Sequence, residues 1–406
     1  MSAIARRRVS AALLVVLFAG ACGGSDDEKA SPAGEAVKGS KVEVEVGGVR
    51  SPAAGLRAQL TGLLQENVFL SGTVTDLVLQ GKDPAPVAAV LEANTVAVGQ
   101  TFSEVYDDAV AQRLVDLWRQ KSALIVQFAQ ATAVGDQAGA AKAKTDLESF
   151  KTQFAALLNE ANPQLPRDQI ATDAGSHVNS LIGVVTAQSK KDPLALGKLK
   201  EAAAVMPRTS AVFAAGIVKQ KAKAIQGSAD GEGATLLATL TAALQENVYL
   251  LGTTTRTVVA GGDARKLRET LDENSEGLAH LFGSLYGDRQ GQRFLRVWRS
   301  HVVALVDYAE AAAAKDAGAV QKATADLAGF RTSLGVLLEK LNQRLPRKAV
   351  AADFEGYVDA LQAVVAAQAA GDPAEFERLH EAARTTPLLA EILAQAIAEQ
   401  FDTRFS

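Results

Sequence analysis

One feature constrains this chain more than any other: it repeats itself. Gln65-Glu-Asn-Val-Phe-Leu70 returns as Gln245-Glu-Asn-Val-Tyr-Leu250, an offset of 180 residues. The same offset relates Tyr106 to Tyr286, Trp118 to Trp298, Phe150 to Phe330, Leu165-Pro-Arg167 to Leu345-Pro-Arg347, Asp192-Pro193 to Asp372-Pro373 and Pro207 to Pro387. No gap is needed anywhere along the span, so the economical reading is two tandem copies of one domain. Residues 56–226 form the first and 234–406 the second. Gly227-Ser-Ala-Asp-Gly-Glu-Gly233 is the expected linker.

Apolar residues recur at intervals of three and four within each copy, with no sustained period of two, which predicts helices throughout. Punctuation at Gly81-Lys-Asp-Pro84, Tyr106-Asp-Asp108, Gly135-Asp136, Asn162-Pro-Gln-Leu-Pro166 and Asp192-Pro193 divides the first copy into six stretches. They fall near 56–80, 84–106, 109–134, 137–160, 167–190 and 194–224. Short connections make neighbours antiparallel. The expected fold is therefore all-α: two tandem antiparallel bundles of about six helices each. Pro207 and Pro387 should kink or split the last helix of each copy.

The seams of these helices carry polar residues where apolar ones belong. The first runs Leu56, Leu60, Leu63, Asn67, Leu70, Val74, Leu77, with Asn67 at its centre. The second places Asn94 inside Val87, Leu91, Val98 and Phe102, the third Lys121 between Trp118 and Ile125, and the fifth His177 between Ala174 and Leu181. The second copy has Asn247, Asn274, His301 and Tyr357 at the matching positions. All are near mid-helix, so each bundle should contain one polar layer. Buried polar groups must find partners, and mutual hydrogen bonding that fixes register is the least demanding solution. The functional alternative is a metal or small-cofactor site in the layer, with His301 and His177 as its candidate ligands, since bundle cores are where such sites are built. Each copy has a single histidine in its layer, and Lys121 would repel a cation.

The N-terminus predicts an address rather than a fold. Arg6, Arg7 and Arg8 precede the apolar run Ala11–Phe18, which is short for a membrane span, and then Ala19-Gly-Ala-Cys22. This resembles the lipobox of bacterial lipoproteins. The resemblance implies a signal peptide over 1–22, acylation of Cys22, the only cysteine in the chain, and attachment to the outer face of the cell membrane through lipid alone. Residues 23–55, rich in Gly, Ser, Pro, Lys and Glu, read as a flexible tether, with Val42–Val46 as a lone strand or extended chain. The rest of each copy, through the Gln-Glu-Asn-Val run, Asn94/Asn274, Tyr286-Gly-Asp, Trp298-x-x-His301 and His177-Val, resembles a poorly characterised helical domain of secreted bacterial proteins. Its members carry histidine at positions matching Asn67, His301 and His177 together, which implies metal binding in those relatives; neither copy here keeps that set.

The formal net charge is −4, and removing the leader takes away three arginines and no acid. A mildly acidic surface without basic runs excludes nucleic acid as the expected partner. Serine-hydrolase, P-loop, Rossmann and zinc-finger patterns are absent, so neither an enzyme nor a cofactor is expected. Glu377-x-x-His380 has the spacing of a ferritin-type ligand pair but reads as a solvated face, because Gly197 and Lys200 stand there in the first copy. Trp118 and Trp298 read as core anchors, and Arg119 and Arg299 as solvated. The expected function is that of a non-enzymatic, lipid-anchored binding or scaffold protein of the cell envelope, partnered by the membrane and by an envelope protein or small ligand.

Overall fold

The computed structural model describes residues 48–405, and every regular element among them is helical. The signal peptide, Cys22, most of the expected tether and the Val42–Val46 strand lie outside the described residues. After a 3-10 turn at Gly48–Arg50 come α1 (Pro52–Leu79), α2 (Ala85–Ser103), α3 (Asp108–Ala133), α4 (Gln137–Ala161), α5 (Arg167–Ser189), α6 (Ala195–Ala203) and α7 (Met206–Gln220). Then follow α8 (Glu232–Val259), α9 (Arg265–Tyr286), α10 (Asp288–Ala314), α11 (Ala317–Leu341), α12 (Arg347–Ala370), α13 (Glu375–Ala383), α14 (Thr386–Gln400) and the single turn α15 (Asp402–Phe405).

Local chemistry sets these bounds. Asp107, Asp136 and Asp316 cap α3, α4 and α11, each side chain accepting from a backbone N–H three residues on. α1 begins earlier than the seam predicts. Ser51 caps it by accepting from the Ala54 N–H, and Pro52 occupies the first turn, so residues 52–55 belong to the helix rather than to a tether. The stretch expected at 194–224 is split. Pro207 and Pro387 sit in the first turns of α7 and α14, where a missing N–H leaves no helical bond unmade.

α1 and α8 are the central helices, and they pack against each other. α1 also meets α2, α3, α5, α6 and α7, while α8 meets α9, α10, α12, α13 and α14. Neither helix therefore has a solvent face of ordinary width. Leu60, Leu64, Val68, Phe69 and Leu70 are all buried on α1, although they point in different directions around its axis. The one-sided seam is corrected accordingly: Leu56 and Leu63 are only partly buried, and off-seam residues take their place. A helix apolar all round is one enclosed on every side. Phe69 and Tyr249 stack across the junction with centroids 5.1 Å apart and planes 4° from parallel. Close approach depends on glycine: a Cβ on Gly72 would stand 2.5 Å from Leu199, and one on Gly252 2.6 Å from Leu379. The segment expected as a linker is held down. The Ala53 N–H donates to the Gln226 carbonyl (3.1 Å), and Arg57 Nη1 donates to the Ala229 carbonyl (2.8 Å) and the Thr235 hydroxyl (2.9 Å). No described helix is long and apolar enough to cross a membrane.

Candidate functional site

Three of the four polar residues expected in the first layer meet in a chain of hydrogen bonds. Lys121 Nζ donates to Asn67 Oδ1 at 2.6 Å, and Asn67 Nδ2 donates to Asn94 Oδ1 at 3.0 Å. Asn94 Nδ2 then donates to the Leu63 carbonyl and to Glu66 Oε2, at 3.0 and 2.9 Å. Lys121 is fully buried, and burial alone pushes its ammonium down to about 7. Its Nζ also lies 4.7 Å from the Trp118 ring centroid, which favours the charged form. His177 stands aside, with neither ring nitrogen holding a hydrogen-bond partner. Burial first and the Lys121 charge second hold its pKa well below the usual value. His177, Trp118 and Asp173 line a cavity of about 20 Å³, large enough for one water, and Trp118 Nε1 and Asp173 Oδ2 are likewise unpartnered.

In the second half all four residues converge. Asn247 Nδ2 donates to Asn274 Oδ1 (2.9 Å), and Asn274 Nδ2 donates to the Ala243 carbonyl and Glu246 Oε1, both at 3.0 Å. Tyr357 donates its hydroxyl to Asn247 Oδ1 at 2.8 Å. His301 Nδ1 is bonded to the Trp298 carbonyl at 2.5 Å, so the ring proton belongs there. Nε2 then turns a lone pair toward Asn247 Oδ1 (3.3 Å), with the Tyr357 hydroxyl 3.5 Å away as the proton available to both. Burial drives the His301 imidazole down to about 3 and the Tyr357 phenol well up, leaving both neutral. Among the described residues no group of three or more His, Cys, Asp or Glu is placed to hold a metal ion. Apart from His177 and the Nε2 lone pair of His301, the layers hold donors and acceptors that consume one another.

Two carboxylates that sequence reasoning passed over lie beneath the layers. Glu66 and Glu246 precede the first asparagine of each layer and are buried. Glu246 is raised by burial, with the Asn274 hydrogen bond partly offsetting it. Glu66 is more fully used. Its Oε2 takes Asn94, while its Oε1 accepts from the Tyr249 hydroxyl at 2.5 Å and from His380 Nδ1 at 2.8 Å. Tyr249 is pushed well above its usual range by burial and by the adjacent carboxylate. The Glu66 hydrogen bond raises His380. His380 therefore does not lie on a solvated face. Its side chain is only 22% exposed because α13 packs on α2 and α8, which brings it onto a carboxylate 314 residues earlier in the chain. The available signal was a difference between the repeats: Phe69 corresponds to Tyr249 and Lys200 to His380, and the two changed residues bind the same oxygen.

The Glu66–His380 pair opens onto a cleft of about 620 Å³ walled by α1, α2, α8, α13 and α14. Gly55, Gln59 and Gly62 line it from α1, Thr241 and Gln245 from α8, and His380, Arg384 and Glu391 from the opposite side. Gln245 is 5% exposed, and its Oε1 has no hydrogen-bond partner. The exposed arginines first read as solvated instead brace helix pairs: Arg119 bonds Glu92, and Arg299 bonds Asp272 and Glu276. No protein-family model, no curated protein and no solved structure matches the chain.

Proposed function

We propose that this chain is two tandem copies of one helical bundle, tethered by lipid at Cys22 to the outer face of a bacterial membrane, and that it acts as a non-enzymatic binding protein taking a small ligand in the junction cleft. The observation that carries the binding reading is the cleft itself. Its volume lies within the range of small-molecule sites, and it combines apolar walls with a few convergent polar groups. Two of those groups, His380 and Arg384, stand on one wall a helical turn apart. The polar layers, His177 apart, bond among themselves and serve to fix helix register. The leader and Cys22 support the anchor by their resemblance to a lipobox.

Each part has its own test. Cys22→Ser should move the protein from the membrane to the soluble fraction; a variant that still sediments with membranes refutes lipid attachment. For the cleft, a small-molecule extract of the cell envelope should raise the melting temperature of the full chain by a few degrees, because a ligand at about 100 times its Kd adds roughly 2.7 kcal/mol. Gly55→Trp should abolish that shift. A Cβ at Gly55 meets nothing within 4 Å, so the indole can enter the cleft without disturbing the helix. Equal shifts in both proteins would remove the cleft as the binding site.

A further inference from the structure

The cleft's charges are not equally free, and that inequality selects its ligand. Glu66 is spent: three side-chain donors already occupy its two oxygens. Arg50 is paired with Glu399 at 2.8 Å. Arg384, by contrast, has no carboxylate within 4 Å among the described residues, and it stands one helical turn beyond His380 on the same wall. With His380 Nδ1 given to Glu66, Nε2 is the ring atom left to face the cleft. The Glu66 hydrogen bond favours the imidazolium, in which Nε2 is a donor. Glu391, exposed on the rim, tempers the positive charge, so the cleft is not a general anion trap.

Resting on the binding reading above, we infer that the cleft takes a small organic carboxylate. Arg384 and His380 Nε2 hold the carboxylate. A guanidinium and an imidazole on one wall suit a planar carboxylate, and hydrogen bonds to charged groups are the strong ones.

The test is calorimetric titration of the full chain with a panel of short organic carboxylates, together with the same compounds as amides. At least one carboxylate should bind and its amide should bind about tenfold or more weakly, since one charge-assisted contact is worth roughly 1.5–3 kcal/mol. Arg384→Gln should weaken the carboxylate by a similar factor. Arg384 is exposed, so this variant leaves the packed core untouched. If no carboxylate in the panel binds while an envelope extract still shifts the wild type and not Gly55→Trp, the cleft remains a binding site and the carboxylate assignment is wrong. Carboxylates that bind Arg384→Gln as tightly as wild type overturn it as well. If neither panel nor extract distinguishes wild type from Gly55→Trp, both readings fall together.

Discussion

Asn67→Leu should destabilise the fold by about 3–5 kcal/mol, the largest effect expected of any single change in the polar layers. Asn67 is the middle link of the first layer: it accepts from Lys121 and donates to Asn94. Leucine fills similar space but leaves a fully buried amine with no acceptor and an amide oxygen with no donor. Lys121→Met in the same chain should recover part of the loss, because it removes the amine that leucine orphaned. The coupling, read by chemical denaturation of the two single variants and the double, should be 1 kcal/mol or more. Additive losses would mean that the two residues do not share a network. The corresponding change in the second half, Asn247→Leu, should cost less. There the Tyr357 hydroxyl has a second acceptor in His301 Nε2, so one of the bereft groups finds a new partner.

Stability should also climb with pH from about 3 to about 10, in two steps with different owners. His301 titrates at about 3 in the folded protein against 6.5 unfolded. Between those values the unfolded chain binds the proton and the folded one does not, so stability present above pH 6.5 is lost as pH falls through the window. The loss from this group is on the order of 5 kcal/mol, and His177, also depressed, adds in the same direction. His380 and the buried carboxyls of Glu246 and Asp76 oppose them, because a raised pKa gives stability below the unfolded value that disappears as pH rises. The second step belongs to Lys121, lowered from 10.5 to about 7. Between these values the unfolded chain again holds more protons, and stability rises with pH. Above about 10 the trend reverses, since Tyr249 and Tyr357 keep their protons in the fold while an unfolded phenol releases its own. Denaturation midpoints measured across pH should flatten between 7 and 10 in Lys121→Met. A slope there unchanged from wild type would mean that Lys121 is solvated and ordinary.

How much of this was legible beforehand follows from which interactions are local. Asn94, Lys121, Asn247, Asn274, His301 and Tyr357 could be picked out because each interrupts an apolar run of known period, and period alone tells which side of a helix faces inward. The turns at Asp107 and Asp136 were visible in the punctuation, since capping acts over three residues. Pro207 and Pro387 announced the breaks between α6 and α7 and between α13 and α14. The central place of α1 and α8 was not read, although the clue was present: Leu64, Val68 and Phe69 lie off the expected seam and are apolar too. Treating α1 as an amphipathic helix hid its contact with α8, and with it the setting of Glu66. His380 was out of reach by any local argument. Its partner is a carboxylate that only the packing of α13 against α2 and α8 brings near. His177 shows the reverse limit: it sits at the expected position yet bonds to none of its supposed neighbours, because a mid-helix register does not determine which way a ring turns.

The proposed division of labour between register-fixing layers and a ligand cleft can be tested through the histidines, of which the chain has 4. Imidazole carbon and nitrogen resonances of labelled protein, followed while the envelope extract or a binding carboxylate is added, report on each site separately. The account predicts that the His380 signal moves and titrates with the ligand while those of His177 and His301 stay in place. Movement of His177 or His301 with His380 unchanged would put the ligand inside a bundle core and contradict it.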